Sequence, residues 1–145
     1  AHALFGQRVA FDMLFEEGLD HVWKRHAALA RATRAAVEVW ARGAALTFNI
    51  ADPAHRSDSV TTILTPGFDP QALRDFTRSR CGVILGSGIG DLAGRAFRIA
   101  HMGYANAPML LGTLGAVEIG LKALAIPHGA GGVQAAVESL QEVFA

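Results

Sequence analysis

The amino-acid sequence predicts an α+β fold in which long N-terminal helices lead into a small, mainly antiparallel sheet of about four strands with helices packed on one side. Three observations predict this fold. Apolar residues recur at helical spacing through residues 4–40. Short stretches that alternate in polarity, or that are rich in β-branched residues, follow between residues 46 and 100. The helical pattern then returns after Asn106, so helices precede a mixed region of strands and helices.

Two helices are predicted at the N-terminus, over residues 4–15 and from Gly18 onward. Gly43 is well placed to end the second helix. The apolar face of that helix carries Leu19, Val22, Trp23, His26, Leu29, Ala30, Thr33, Val37 and Trp40. The opposite face carries Lys24, Arg25, Arg31 and Arg34, which we expect to face water.

Four segments are predicted as strands: residues 46–50, 59–65, 83–85 and 96–100. The first alternates apolar and polar side chains, as a half-buried strand should. The second is β-branched and stops at a Pro-Gly turn signal. The third and fourth flank a loop rich in glycine, so the four together make a small sheet.

Two of the later helices begin with recognisable caps. Asp69 is predicted to cap a short helix that starts at Pro70, and Asn106 to cap the next one. The second of these carries an apolar stripe of Leu110, Leu114, Val117, Leu121 and Leu124. A second stripe of small residues, Gly112, Ala116 and Gly120, predicts close approach of another element, the sheet or the long helix, with a subunit contact as the alternative.

Composition limits the possible functions. The 145 residues are 51% hydrophobic, which fits one domain with a buried core. The 13 basic and 13 acidic residues cancel, so no broad field is expected to attract nucleic acid or an anionic membrane. The apolar run at residues 109–117 is too short to span a bilayer, and no signal peptide is visible.

The single cysteine and the first residue give two further expectations. Cys81 excludes an internal disulfide and a cysteine-based zinc cage, and fits a reducing compartment, so we expect a cytoplasmic protein. The chain starts at Ala1 rather than Met and enters a helical pattern at once. We therefore expect it to be a piece of something longer.

Arg98 is the main candidate for a functional residue. Side chains alternate along a strand, so Phe97 and Ile99 should point to an apolar layer while Arg98 points the other way. The loop before the strand carries Gly86, Gly88, Gly90 and Gly94, which allow close backbone approach or positive φ. The pattern is consistent with a local site for a small anion, and equally with a solvated strand arginine behind a flexible turn.

Other chemistries are weakly supported. Residues 88–93 match a G-x-G-x-x-A dinucleotide fingerprint, but the strand at 96–100 leaves no room for the helix that fingerprint needs. The histidines show no metal-binding spacing; His26 is interpreted as a packing residue, and His101 as structural or as a support to the site. Ser59 and Ser87 have no His/Asp pattern that would activate them, and Cys81 is expected to pack.

Three segments resemble a known family. Residues 88–103, GIGDLAGRAFRIAHMG, resemble the GLGxLxGKxFRIGHMG block of the class V (fold-type I) pyridoxal-phosphate aminotransferases. Residues 15–26, FEEGLDHVWKRH, are similar to that family's EEGLENVWxRH segment, and residues 59–62, SVTT, to its central strand. The similarity is greatest to the serine/alanine–glyoxylate branch.

The resemblance implies that the chain is the C-terminal small domain of such an enzyme, with residues 1–43 as a helical connection to a large domain and residues 44–145 as the small domain. Arg98 would bind the substrate carboxylate. Pyridoxal 5'-phosphate would be the cofactor of the complete enzyme, with none expected on this chain alone. The partners would be a small amino acid such as serine or alanine, a 2-oxo acid such as glyoxylate, the large domain, and a second copy in a homodimer.

Several departures and alternatives accompany the resemblance. Ala100 replaces the family's glycine, and Ile89 stands where the pyridoxamine–pyruvate branch is expected to have a second arginine. Lys24 and Lys122, the lysines of the chain, do not resemble the Schiff-base motif, so the isolated chain should be inactive. A catalytically inactive module that binds a small carboxylate or drives assembly is the alternative, and the amino donor stays open.

Overall fold

The computed structural model describes residues 1–144 of the chain and confirms the α+β fold. The helices are α1 (His2–Glu17), α2 (Leu19–Trp40), α3 (Pro70–Cys81), α4 (Ala107–Ala123) and α5 (Gly132–Phe144). The strands are β1 (Thr47–Phe48), β2 (Val60–Leu64), β3 (Gly86–Ser87) and β4 (Ala96–Ala100). Short 3-10 turns occur at Ala41–Gly43, Pro53–His55 and Gly90–Leu92.

The strands form one antiparallel sheet in the order β1-β2-β4-β3. Ile63 on β2 is opposite Phe97 on β4, and both side chains are fully buried. They belong to the main core together with apolar residues of α2, α3, α4 and α5. The helices therefore pack on this face, and the side chain of Arg98 lies on the other one.

Helix capping explains where α3 and α4 begin. The Asp69 carboxylate accepts a hydrogen bond from the Gln71 amide at 2.9 Å, and Pro70 occupies the first turn. The Asn106 side chain accepts from the Met109 amide at 2.9 Å. Both caps predicted from sequence are confirmed.

Two predicted strands are shorter than expected or displaced. Only Thr47–Phe48 forms a strand within residues 46–50. The Asn49 amide still donates to the Thr62 carbonyl at 3.0 Å, and beyond it the carbonyls of Ile50 and Ala51 accept hydrogen bonds from Arg56. The prediction of a strand at residues 83–85 is wrong. Residues 82–85 follow the end of α3 and belong to no strand. The Leu85 carbonyl accepts a hydrogen bond from Arg74, and pairing with β4 starts at Gly86.

Three details of the helices also differ from expectation. Trp23 lies on the predicted apolar face of α2 but is 62% exposed. The residue with a left-handed backbone after α2 is Ala44 rather than Gly43. Position 43 requires glycine for another reason, because the backbone of Pro127 and His128 occupies the place where a side chain would lie. Gly120 packs against α3, not against the sheet or α2, and Gly112 faces open space.

The N-terminal helix stands apart from the core. No residue of α1 is buried, and all of its large apolar side chains except the half-buried Leu14 are exposed. Within residues 1–144, no helix combines the length and the hydropathy that a bilayer crossing requires.

Candidate functional site

Arg98 lies at the centre of β4, between one neighbour on each adjacent strand. Its partner on β2 is Thr62 and its partner on β3 is Gly86. Phe97 and Ile99, which flank it in sequence, are buried on the helix-covered face. The alternation predicted from the sequence is therefore confirmed, and the half-buried Arg98 side chain lies on the opposite face.

One hydrogen bond fixes the base of the Arg98 guanidinium group. Its Nε donates to the Ser87 carbonyl oxygen at 2.7 Å. Neither terminal nitrogen has a hydrogen-bond partner among the residues that the structure describes. A guanidinium group held at Nε with its terminal nitrogens open can bind a carboxylate through two parallel hydrogen bonds.

A shallow pocket of about 220 Å³ adjoins this guanidinium group. Arg98 is the charged residue in its lining, and the rest is apolar or weakly polar. The other lining residues are Val60, Ile84, Leu85, Gly86, Ile99, Ala100 and Thr113. A cavity of this size and character can hold a small anionic molecule with a short apolar or polar side chain.

The glycine loop forms a tight turn beside the pocket. A side chain at Gly88 would overlap the Leu92 carbonyl, and Gly90 and Gly94 have φ of 57° and 70°. Residues 91–95 complete a 3-10 turn and lead directly into β4. The helix that a dinucleotide fingerprint requires is absent at residues 91–95, so the dinucleotide interpretation is wrong.

His101 is buried immediately after β4 and has structural partners. Its Nε2 lies 2.9 Å from the Thr61 hydroxyl and its Nδ1 lies 3.0 Å from the Asp58 carbonyl oxygen. Burial lowers the pKa of His101, and the hydrogen bond to Asp58 opposes that effect. A neutral ring satisfies both contacts, with Nδ1 donating and Nε2 accepting.

The remaining candidates do not form a site. In the part of the chain that the structure describes, no three histidine, cysteine, aspartate or glutamate side chains come close enough to hold a metal ion. The Ser59 hydroxyl bonds to the Ser57 hydroxyl at 2.6 Å, and Cys81 is a half-buried free thiol. His26 is half-buried, and its Nε2 accepts a hydrogen bond from the Gly103 amide at 3.1 Å.

The role of Arg25 is not apparent from the sequence, whose helical pattern predicts that this side chain faces water. Its guanidinium group instead binds the Glu17 carboxylate through Nε and Nη2 at 2.6 and 2.7 Å. Its Nη1 donates to the carbonyls of Gly103 and Ala105, at 2.8 Å each. The available signal was the glutamate just before the helix break at Gly18, with an arginine two turns into the next helix.

Comparison with known proteins gives consistent matches, although no family model matches the chain. The chain is 41% identical over 119 residues to the serine–glyoxylate aminotransferase of Methylorubrum extorquens, covering 81% of this chain and 29% of that protein. It is 39% identical over 140 residues to the serine–glyoxylate aminotransferase of Arabidopsis thaliana, covering 95% of this chain and 34% of that protein.

A solved structure shares the fold. The pyridoxamine–pyruvate aminotransferase from Mesorhizobium loti superposes with a TM-score of 0.84 at 34% identity, covering 93% of this chain and 34% of that one. The chain thus spans about a third of the length of the proteins it matches.

Proposed function

Since the chain belongs to the class V aminotransferases and corresponds to their C-terminal part, we propose that it is the small domain of an enzyme that transfers an amino group between a small amino acid and a 2-oxo acid. Serine or alanine is the proposed donor and glyoxylate the proposed acceptor. The names of two relatives, both serine–glyoxylate aminotransferases, support this choice.

The position of Arg98 is the observation that carries the proposal. Amino acids and 2-oxo acids share one group that does not react during amino transfer, the carboxylate next to the reacting carbon. A two-pronged bond from Arg98 to that carboxylate would fix the orientation of the substrate as well as its charge. The open terminal nitrogens and the pocket of about 220 Å³ beside them support this role.

We also propose that residues 1–43 connect the small domain, residues 44–145, to a larger cofactor-binding domain. Helix α1 buries none of its residues, and Leu4, Phe5 and Phe15 are each at least 67% exposed. So much exposed apolar surface on one helix is typical of a contact with another domain or chain. A second copy of the complete enzyme is the further proposed partner, as a homodimer.

The cofactor is proposed to bind outside this chain. Pyridoxal phosphate supplies an electron sink to the aminotransferases that use it, and it is held by a lysine. Lys24 is exposed on α2, and Lys122 is 64% exposed and paired with Glu118 at 3.7 Å. Neither lysine lines the pocket beside Arg98. The lysines of this chain therefore do not fit the role of the lysine that holds the cofactor.

The proposed role of Arg98 is tested in the full-length enzyme with Arg98→Ala and Arg98→Lys. Loss of a two-pronged charged hydrogen bond should raise the KM for serine and for glyoxylate about 10- to 100-fold in Arg98→Ala. Arg98→Lys should recover only part of this affinity, because lysine keeps the positive charge but cannot form the two parallel hydrogen bonds of a guanidinium group. Arg78→Ala, at an exposed position on α3, is the matched control. Unchanged KM values in Arg98→Ala would refute the role.

The alternative function is a catalytically inactive module that binds a small carboxylate or promotes assembly. Titration calorimetry of the purified protein with glyoxylate and with serine separates the possibilities. Binding without amino transfer, by a protein whose native mass equals that of this chain, supports the free-standing module. Amino transfer by a longer native protein supports the aminotransferase.

A further inference from the structure

The side chain of Arg98 extends across β3 instead of standing straight out from the sheet. Its Nε reaches the Ser87 carbonyl oxygen, which belongs to the neighbouring strand, at 2.7 Å. The residue directly opposite Arg98 on β3 is Gly86. The hydrogen bond is therefore made over the position where Gly86 has no side chain.

The two neighbours of Arg98 leave only one side open for this arrangement. On the β2 side its partner is Thr62, whose branched side chain occupies the same face of the sheet. On the β3 side Gly86 presents only backbone. The guanidinium group therefore lies over β3, where Gly86 leaves space and the Ser87 carbonyl oxygen accepts its hydrogen bond.

A methyl group at position 86 would crowd the arginine. A Cβ built on Gly86 would lie 3.2 Å from Arg98 Cβ and 3.4 Å from Arg98 Nε. The distance to Arg98 Cβ is short for two carbon atoms, which pack best at about 3.5–4.0 Å, whereas the distance to Nε is at the short end of ordinary contact. Gly86 does not have a positive φ, so an alanine there would act through this contact rather than through backbone strain.

We propose that Gly86 is a positioning residue that sets the direction of the Arg98 guanidinium group and thereby the affinity of the enzyme for the substrate carboxylate. This inference rests on the proposed function of Arg98. The absence of a side chain at position 86 lets Nε bind the Ser87 carbonyl, and that bond fixes the guanidinium group beside the pocket with its terminal nitrogens open. A larger residue displaces the guanidinium group while leaving its charge in place.

The test compares Gly86→Ala and Gly86→Val with the unaltered full-length enzyme. Gly86→Ala should raise the KM for both the amino acid and the oxo acid about 5- to 20-fold with kcat changed less than about twofold, because the lost contact orients bound substrate. Gly86→Val should raise KM further. Gly112→Ala is the matched control, since a Cβ there meets nothing within 4 Å, and its KM values should not change.

A double-mutant cycle with Arg98→Ala shows whether Gly86 acts through the arginine. In the Arg98→Ala background, Gly86→Ala should produce no additional rise in KM. Two outcomes would overturn the positioning role and leave the proposed function intact. The first is an equal rise in KM on Gly86→Ala in both backgrounds. The second is an unchanged KM in both Gly86 variants while Arg98→Ala alone raises it. If Arg98→Ala itself leaves KM unchanged, the proposed function fails first.

Discussion

Arg25 and Glu17 form a two-pronged ion pair across the break between α1 and α2, with Nε–Oε1 and Nη2–Oε2 distances of 2.6 and 2.7 Å. The hydrogen bonds from Arg25 lower the pKa of the Glu17 carboxyl, against a weaker effect of burial. The same guanidinium group donates to two carbonyls of the segment that follows β4. The side chain of Arg25 thus links α1, α2 and the segment that follows β4, the strand that carries Arg98.

Replacing Arg25 should loosen this junction. Arg25→Met keeps much of the apolar stem but leaves the Glu17 carboxylate and the carbonyls of Gly103 and Ala105 without their donor. We expect the free energy of unfolding to fall by about 1–3 kcal/mol. Arg31→Met, at an exposed site on the same helix, should change it by less than about 0.5 kcal/mol.

Chemical denaturation of the full-length protein measures both variants. Equal effects of Arg25→Met and Arg31→Met would show that the Arg25 contacts do not stabilise the fold. Glu17→Gln should cause a smaller loss than Arg25→Met, since the two carbonyl contacts of Arg25 survive.

Local sequence signals predicted the parts of the fold that depend on near neighbours. The spacing of apolar residues, the capping residues Asp69 and Asn106, and the glycines and prolines predicted α2, α3, α4, β2 and β4 close to their observed bounds. The orientation of Arg98 followed from strand alternation alone. What it binds to in the sheet, the Ser87 carbonyl, did not follow, because β3 starts three residues later than predicted.

Contacts between distant parts of the chain were not predictable in this way. Arg25 and Gly103 are 78 residues apart, as are Trp40 and Glu118. A helical pattern places arginine on the polar side of α2, but only the path of the segment after β4 decides which carbonyls it meets. Gly43 was predicted for its backbone freedom, whereas it is small because another backbone segment passes over it.

The contact between Trp40 and Glu118 gives a second prediction. The Trp40 indole N–H donates to Glu118 Oε2 at 2.9 Å, and the Val133 amide donates to the same oxygen at 3.0 Å. Glu118→Ala leaves both donors unpaired and should lower the free energy of unfolding by about 1–3 kcal/mol. Glu118→Gln keeps an acceptor and should cost less than half as much. Thermal melting of the two variants checks this, and equal losses would contradict it.

Close backbone packing at Gly43 gives a third prediction. A side chain there would overlap the backbone of Pro127 and His128, which cannot move aside as a flexible side chain could. Gly43→Ala should therefore destabilise the protein by about 1–3 kcal/mol. Gly112→Ala, in an open helical position, should be neutral or stabilise by up to about 1 kcal/mol. Gly43→Ala should lower the melting temperature and Gly112→Ala should leave it unchanged or raise it, and an equal fall in both variants would refute the packing argument.

The buried imidazole of His101 should make stability depend on pH. In the folded protein, burial lowers the pKa of His101 below its ordinary value of 6.5, so the unfolded chain takes up the proton first as the pH falls. The stability that the neutral ring contributes is present above its ordinary pKa and is lost as the pH falls through the lowered one. His101→Gln can still donate to Asp58 and accept from Thr61 but does not titrate. The loss of unfolding free energy between about pH 7.5 and about pH 5 should therefore be smaller in His101→Gln than in the unaltered protein, and identical losses measured by denaturation at both pH values would show that His101 does not control it.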